Sequence, residues 1–307
     1  MELAAPRVLS RRRVSRAARL RPYIWLLPAL ALFCVFRLYP LLFGFFLSLH
    51  KWDGMTPMAF VGLANFREAL FGDPLFWLSL SHNAIYAIGT VIGKNVLALA
   101  LAVILNAELR GRAFFRTTLF MPVVMSLVVV GILWSWIYNY QFGLLNNLLQ
   151  MIGLGNFRAE WLGNTNLSLY SLIIVDIWKF FGYHMVIYLA GLQAIPPVLY
   201  EAAVIDGAAA WQQFWHVTVP MLRAIMVVNV TISLMGAFNV FDLVYVMTRG
   251  GPNNSTNVVV LESYQQAFEF YKLGYGAAIS IVLMVIVIAL SLAQIRLMRG
   301  ERAEEYN

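Results

Sequence analysis

The sequence is organised around one polar stretch of small residues in an otherwise apolar chain: Gln193-Ala-Ile-Pro-Pro-Val-Leu-Tyr-Glu201-Ala-Ala-Val-Ile-Asp-Gly207. Its two prolines predict the start of a helix, because the first N–H groups of a helix have no partners within it. Glu201 then falls in the first turns, where the helix dipole favours a carboxylate. Gly207 is expected to close this helix, because glycine adopts a left-handed backbone at low cost.

A second short helix is predicted directly after this one. Trp211, Phe214 and Trp215 follow at helical spacing on one face, and Pro220 is expected to stop the helix. Two short helices that meet at a corner suit a rigid docking surface. The alternative is an amphipathic hairpin that lies in the membrane interface without a partner.

Composition indicates a membrane protein. The 307 residues are 61% hydrophobic and only 12% charged, whereas about a quarter of the residues of a soluble domain are charged. Six apolar stretches approach the ~20 residues that cross a bilayer as a helix, which predicts an all-α, polytopic fold with six transmembrane helices. The stretches are 23–49, 82–106, 114–138, 167–192, 223–247 and 274–297.

Positive charges predict the orientation of these spans. Fourteen Lys and Arg residues fall in the N-terminal tail, the 107–116 and 193–223 loops and the C-terminal tail, against five in the alternate loops. Cytoplasmic loops carry the excess of Lys and Arg, so both termini and the Glu201 loop are predicted to be cytoplasmic. The net charge of +7 is thereby explained by topology, and we expect no nucleic acid partner.

The polar stretch also resembles a known motif. Glu201-Ala-Ala, Gly207, Val217, Val219 and Pro220 are spaced as in the EAA loop of permease subunits of binding-protein-dependent ABC importers, where Ile and Leu usually replace the two valines. The resemblance implies a type I ABC importer permease fold, in which this cytoplasmic loop sits in a cleft of a separate ATPase. It assigns coupling to the ATPase to Glu201, Ala202, Ala203, Asp206, Gly207 and Pro220.

Further segments, in order along the chain, resemble the carbohydrate subgroup of these permeases. That subgroup implies import of a mono- or oligosaccharide, or alternatively of sn-glycerol 3-phosphate or another polyol. It also implies a second related permease, two ATP-binding subunits, an extracytoplasmic solute-binding protein and a bacterial inner membrane with its lipid. The segments are Phe60–Phe66, Gly143–Asn146, Asp176–Lys179, Phe241–Tyr245, Gly250–Pro252 and Leu273–Ala278.

This interpretation divides the chain into four parts. A basic cytoplasmic tail over 1–22 precedes the first transmembrane helix and an extracytoplasmic cap over 23–81. The transmembrane domain over 82–298 carries the coupling loop 193–222, and a short cytoplasmic tail over 299–307 follows.

The sequence predicts a transport subunit and not an enzyme. Gly89–Asn95 is one residue too short for a P-loop and has Asn where Ser or Thr would hold magnesium. The same glycines form a Gly-x-x-x-Gly pair that favours close helix packing. The four histidines lack the spacing of a metal site. We therefore expect no cofactor in this chain, with ATP and magnesium in the partner ATPase.

Charged residues within the apolar stretches are the next candidates. Lys94, Asp176 and Lys179 each fall inside a predicted span, where a central charge costs about 2.5–3.5 kcal/mol and therefore faces a bundle interior or a watery cavity. Asp176 and Lys179 are three residues apart, so they can neutralise each other. Lys94 is expected to pair with Asp176 or Asp242 on another helix.

The fifth predicted span carries a line of polar residues at spacings of three or four. Two interpretations stay open: these residues pack helices together, or they line the substrate pathway beside aromatic faces. Trp178, Tyr183 and Gln193 are weaker pathway candidates. The line and its flanking aromatics are Asn229, Ser233, Gly236, Phe238, Asn239, Phe241 and Asp242.

Two other classes of protein compete with the ABC importer. An ion-coupled secondary transporter could use Lys94 and Asp242 as a proton relay, but its usual duplicated halves are absent from the sequence pattern. A membrane scaffold without transport activity would have no reason to keep charges in mid-membrane.

Overall fold

The computed structural model describes residues 26–107 and 110–299. The predicted basic tail over 1–22 lies outside the described residues, as does all but the first residue of the predicted 299–307 tail. The chain divides into two compact units, residues 1–46 and residues 47–307. In the first unit, the described residues belong to helix α1, Leu26–Ser48, which runs two residues into the second unit and is long and apolar enough to cross a membrane.

The second unit is helical apart from one small hairpin in the part of the chain that the structure describes. Strands β1 (His50–Lys51) and β2 (Ala59–Phe60) pair antiparallel, with His50 opposite Phe60. The helices that follow are α2 (Ala64–Arg67), α3 (Pro74–Asn106), α4 (Arg112–Val124), α5 (Leu127–Ile137), α6 (Leu144–Met151), α7 (Ser168–Gln193), α8 (Pro197–Ile205), α9 (Ala210–Phe238), α10 (Asp242–Met247), α11 (Val259–Tyr264) and α12 (Leu273–Arg299).

The hairpin loop is held by one carboxylate. Asp53 accepts hydrogen bonds from the N–H groups of Met55 and Thr56 and from the Thr56 hydroxyl. These bonds favour the charged carboxylate and lower the pKa of Asp53 to about 2. Side-chain hydrogen bonds therefore give the hairpin turn a defined conformation. This turn lies within the segment that was predicted from the sequence as an extracytoplasmic cap.

Helix α3 begins eight residues before the predicted span at 82. Asp73 caps its first turn by accepting from the N–H groups of Leu75 and Phe76, and Pro74 occupies the first helical position. Asp followed by Pro is a helix-start signal. The sequence prediction instead assigned Asp73 and Pro74 to the extracytoplasmic cap and began the span at residue 82.

The predicted continuous span over 114–138 is wrong. Helices α4 and α5 meet at 98° across Met125 and Ser126, both of which have extended backbone. The described residues thus hold five helices long and apolar enough to span a membrane, and six if this bent pair is one span. The predicted count of six is reached only with a broken third span.

Pro220 does not stop a helix, contrary to the sequence prediction. Helix α9 runs through it, with a π-helical stretch at Phe214–Thr218 directly before the proline. Proline removes one N–H and crowds the preceding turn, and the wider π turn accommodates both effects. In α1, the π-helical stretch Cys34–Leu38 stands in the same relation to Pro40.

The predicted span over 223–247 is also interrupted. Helix α9 ends at Phe238, and α10 begins at Asp242 after three residues that are not helical. The predicted line holds for Ser233, Gly236, Asn239 and Asp242, which line one cavity although the helix ends at Phe238, and it fails for Asn229. The 239–243 segment, which contains this interruption, lies at the wall of a central cavity.

Helices α3 and α7 form the centre of the second unit. Gly89 and Gly93 lie against Ile173 and Ile177, and a Cβ at Gly93 would overlap the Ile177 side chain. The predicted Gly-x-x-x-Gly packing is confirmed. Apolar side chains from α3, α5, α7, α10, α11 and α12 complete the larger hydrophobic core around Phe76, Leu172 and Val244.

Candidate functional site

A cavity of about 440 Å³ lies between α3, the α4–α5 break, α7, α9 and the 239–243 segment. Its wall combines aromatic faces, small residues and polar side chains, which is the usual make-up of a small-molecule site. The lining residues are Lys94, Val123, Leu127, Asp176, Phe180, Tyr183, His184, Ile232, Ser233, Gly236, Asn239, Val240, Phe241, Asp242 and Leu243.

The cavity brings together most of the predicted pathway residues. Gly236, Asn239 and Asp242 are exposed at its wall, and Ser233, Phe241 and Tyr183 also line it. Three of the remaining predicted pathway residues lie elsewhere as buried or partly buried packing groups: Asn229, Phe238 and Trp178. Gln193, the last residue of α7, is exposed and does not line the cavity. Trp178 contacts Trp134 edge to face, with 5.4 Å between ring centroids.

The predicted pairing of Lys94 across the bundle is confirmed, with Asp176 as the partner. The Lys94 ammonium lies 2.6 Å from the Asp176 carboxylate, and both side chains are buried. The predicted local pair of Asp176 with Lys179 is wrong, because the Lys179 ammonium instead donates to backbone carbonyls of Pro122, Val123 and Met125.

The ring of Phe180 lies close to both lysines. Its centroid is 5.3 Å from the Lys94 ammonium and 5.1 Å from that of Lys179, within the range of a cation–π interaction. Asp176, Phe180 and His184 follow at intervals of four along α7 and so present one face to the cavity. This spacing is the sequence signal for Phe180 and His184, which were not among the predicted site residues.

A chain of hydrogen bonds ties α3, α7 and α9 together beside the cavity. Tyr188 donates to Asn95, and the Asn95 amide donates to Ser233. The two nitrogens of the His184 ring then contact Ser233, at 3.2 Å, and Asn229, at 2.9 Å. All five side chains are nine-tenths or more buried.

One arrangement of protons fits the donors and acceptors of this chain. The Asn229 oxygen can only accept, so Nδ1 of His184 carries a proton and donates to it. Ser233 accepts from Asn95 and can donate its own hydroxyl to Nε2 of His184. In this arrangement the His184 ring donates from Nδ1 and accepts at Nε2, and Asn229 and Ser233 act as helix-packing residues at this point.

The predicted coupling residues form an exposed corner. Helix α8 begins at Pro197 and ends at Ile205, and Gly207 has a left-handed backbone with φ of +78°. The Ala208 N–H donates to the Ala203 carbonyl across this turn, which is the closure expected of a C-terminal glycine. Side chains or backbone of Glu201, Ala202, Asp206, Gly207 and Pro220 are exposed, and Ala203 is half-buried.

Large apolar groups are also exposed at this corner. Ile205 is 85% exposed and Trp211 is 69% exposed. Trp211, Phe214 and Trp215 contact one another, with ring centroids 5.3 to 6.1 Å apart. The Tyr200 and Thr218 hydroxyls are 2.9 Å apart and tie α8 to α9, so the corner is fixed to the helix that lines the cavity.

Residues 94–300 match the family described as the binding-protein-dependent transport system inner membrane component. The chain belongs to this family. The permease is 40% identical over 286 residues to the probable ABC transporter permease protein YurN of Bacillus subtilis, covering 92% of this chain and 97% of that protein. It is 34% identical over 284 residues to the trehalose/maltose transport system permease protein MalF of Thermococcus litoralis, covering 91% and 94%.

A solved structure confirms the fold. The permease superposes with a TM-score of 0.81 and 23% identity on a chain of a bacterial alginate ABC transporter in complex with an alginate pentasaccharide-bound periplasmic protein, covering 94% of this chain and 98% of that chain. The predicted all-α, type I ABC importer permease fold is confirmed. As the inner-membrane component, the permease is a multi-pass transport subunit, and ATP hydrolysis belongs to a separate subunit.

Proposed function

We propose that the permease forms the membrane path for a neutral sugar that an extracytoplasmic binding protein delivers. The observation that carries this proposal is the central cavity, where the exposed polar groups of Asn239 and Asp242 stand beside the rings of Phe180 and Phe241. Such a wall suits a carbohydrate. Its polar groups can bond to sugar hydroxyls, and its aromatic rings can stack on the apolar face of the sugar ring. The trehalose/maltose relative supports this substrate class.

The charges of the cavity favour a neutral sugar over sn-glycerol 3-phosphate. Lys94 is neutralised by Asp176, and Lys179 donates to backbone carbonyls and does not line the cavity. The remaining charge on the described cavity wall is the carboxylate of Asp242. It can accept hydrogen bonds from sugar hydroxyls, and it repels a phosphate.

The corner at Glu201 and Gly207 would couple this path to ATP hydrolysis. Two ATP-binding subunits, which hold the ATP and magnesium, would grip the corner on the cytoplasmic side, and a second related permease would complete the path. The exposed Ile205 and Trp211 support a partner here, because large apolar groups on an exposed corner are characteristic of interaction sites. Both chain termini would lie in the cytoplasm.

Reconstitution tests this proposal. The permease, the second permease and the ATP-binding subunits are placed in liposomes with ATP inside, and uptake of labelled maltose, trehalose, lactose and sn-glycerol 3-phosphate is measured with the matching binding protein outside. We expect ATP-dependent uptake of a neutral sugar. Uptake of glycerol phosphate alone would overturn the substrate class.

The same liposomes separate this function from ion-coupled transport. An ionophore that collapses the proton and sodium gradients at constant ATP should leave uptake unchanged. Loss of uptake under that condition would favour the ion-coupled alternative.

A further inference from the structure

The α4–α5 break is closed by one buried lysine. The Lys179 ammonium donates to three backbone carbonyls, at 2.9 Å to Pro122, 3.1 Å to Val123 and 2.6 Å to Met125. Three acceptors require three N–H donors, which only the charged form of lysine supplies. The break therefore holds the ammonium end of a lysine inside the transmembrane region.

The Pro122 carbonyl also accepts from the Met125 N–H at 3.3 Å, and the Lys179 ammonium is the donor for the Val123 and Met125 carbonyls. They lie at the C-terminal end of α4, where the last carbonyls of a helix have no N–H donors within it and carry partial negative charge. In hydrocarbon, an unpaired backbone group is costly, so irregular backbone occurs at membrane depth only where the protein satisfies it. Lys179 is 2% exposed and more than fifty residues away along the chain.

The clamped backbone is also part of the cavity wall. Val123 and Leu127, on either side of Met125, line the cavity. One turn along α7 from Lys179, Gly182 lies so close to α4 that a Cβ there would overlap the Leu119 carbonyl. Lys179 and Gly182 thus fix the position of the broken span relative to α7, and with it the position of the two lining residues.

We propose that Lys179 is a positioning residue for transport: its ammonium is a tethered cation that shapes the cavity wall at the α4–α5 break. In ion-coupled transporters, helix C-termini and unwound carbonyls bind the driving cation. Here the protein's own ammonium fills that place. The inference rests on the proposed function of the cavity as the sugar path.

Chemical rescue in the reconstituted importer tests the proposal. Lys179→Ala removes the atoms that n-propylammonium can replace. We expect uptake by this variant to fall about tenfold or more, because several charge-assisted hydrogen bonds are lost together. Added n-propylammonium should restore uptake several-fold, and tetramethylammonium, which has no N–H donor, should not.

Lys179→Met is the matched control, because its side chain fills the same space without a donor. We expect the same loss of uptake and no rescue by n-propylammonium. Wild-type uptake by either variant would overturn the proposal, as would equal rescue of both variants or equal rescue by the two cations.

A readout that does not depend on transport separates this proposal from the proposed function. In a Cys34→Ser background, Val123→Cys should react faster with a small thiol reagent when combined with Lys179→Ala, and n-propylammonium should reverse the change. An unchanged reaction rate would contradict the proposal that Lys179 positions the backbone at the α4–α5 break, even if the wild-type importer moves no sugar. If Lys179→Ala does not fold, Lys179→Gln, which keeps two N–H donors, takes its place and should show a partial increase in the reaction rate.

Discussion

The Lys94 ammonium lies 2.6 Å from the Asp176 carboxylate, and the pair joins helices α3 and α7 at the wall of the central cavity. An ion pair buried in the membrane makes both charges tolerable, whereas either charge alone would be left unpaired. Because Lys179 is occupied by backbone carbonyls, Asp176 depends on a lysine from another helix and not on its neighbour one turn away.

This pair gives the first prediction. Lys94→Ala or Asp176→Ala should each lower the free energy of unfolding by about 3–5 kcal/mol, because one buried charge loses its partner. The double variant should lose clearly less than the sum, with a coupling of about 1 kcal/mol or more. Chemical unfolding in detergent measures all three, and Lys94→Ala combined with Asp242→Ala is the control that should be additive. Additivity in the Lys94–Asp176 pair would contradict the ion pair.

Two asparagines separate the packing and pathway interpretations of the polar line. Asn229 is buried against His184, so Asn229→Ala should cost about 1–3 kcal/mol of stability by leaving the imidazole N–H unpaired. Asn239 is exposed at the cavity wall, so Asn239→Ala should change stability by no more than about 0.5 kcal/mol and yet reduce sugar uptake. Chemical unfolding of both variants measures stability, and uptake with saturating sugar-loaded binding protein measures transport. A stability loss for Asn239→Ala with normal stability for Asn229→Ala would contradict these assignments.

Much of this fold was predictable because long apolar runs set helix length. The predicted spans at 167–192 and 274–297 agree with α7 and α12 to within two residues at each end. The breaks at Met125 and after Phe238 were not predictable from apolar runs, because both breaks lie inside the apolar stretches 114–138 and 223–247. At Met125, the backbone carbonyl accepts a hydrogen bond from Lys179 of α7, which is distant in sequence. The prediction that Pro220 ends a helix was wrong because the π-helical stretch before it accommodates the proline within a continuous helix.

The candidate site was also predictable only in part. Residue types and helical spacing brought Lys94, Asp176, Ser233 and Asp242 into consideration, and the structure gathers all four around one cavity. The burial of Asn229 depends on its contact with His184 of α7, which a periodic pattern within α9 does not show. The role of Lys179 depends on the path of backbone that lies 54 to 57 residues away along the chain.

Two glycines test how closely the helices approach. A Cβ at Gly182 would overlap the Leu119 carbonyl, whereas a Cβ at Gly236 would meet no atom within 4 Å. Gly182→Ala should therefore destabilise the permease by about 1–3 kcal/mol, because α4 must move away from α7. Gly236→Ala should leave stability unchanged or slightly raised, because alanine favours helix. Thermal unfolding of the two variants checks this, and equal midpoints would contradict the close packing of α4 on α7.

Orientation is testable because Cys34 is the only cysteine. In a Cys34→Ser background, Glu201→Cys should react with a membrane-impermeant thiol reagent only when the cytoplasmic side is accessible, as in inverted vesicles. Lys272→Cys, in a loop predicted on the opposite side, should react only in right-side-out vesicles or intact cells. Labelling of Glu201→Cys from the exterior would contradict the predicted topology and the proposed coupling.

The coupling corner gives the last prediction. Gly207→Pro should abolish uptake, because proline requires φ near −65° and Gly207 has φ of +78°. Glu201→Lys should do the same by reversing the charge that the partner would meet. In both cases, sugar binding by the separate binding protein should be normal in calorimetry, since that protein is unchanged.

A matched pair of milder variants separates coupling from backbone strain. Gly153 also has a left-handed backbone, with φ of +80°, and a Cβ added at Gly153 or at Gly207 would meet no atom within 4 Å. Alanine at either position should therefore impose a similar strain of about 1–2 kcal/mol. Gly207→Ala should reduce uptake and co-purification of the ATP-binding subunits, and Gly153→Ala should affect neither. Equal uptake by the two variants, or full uptake by Gly207→Pro, would count against the corner as the coupling site.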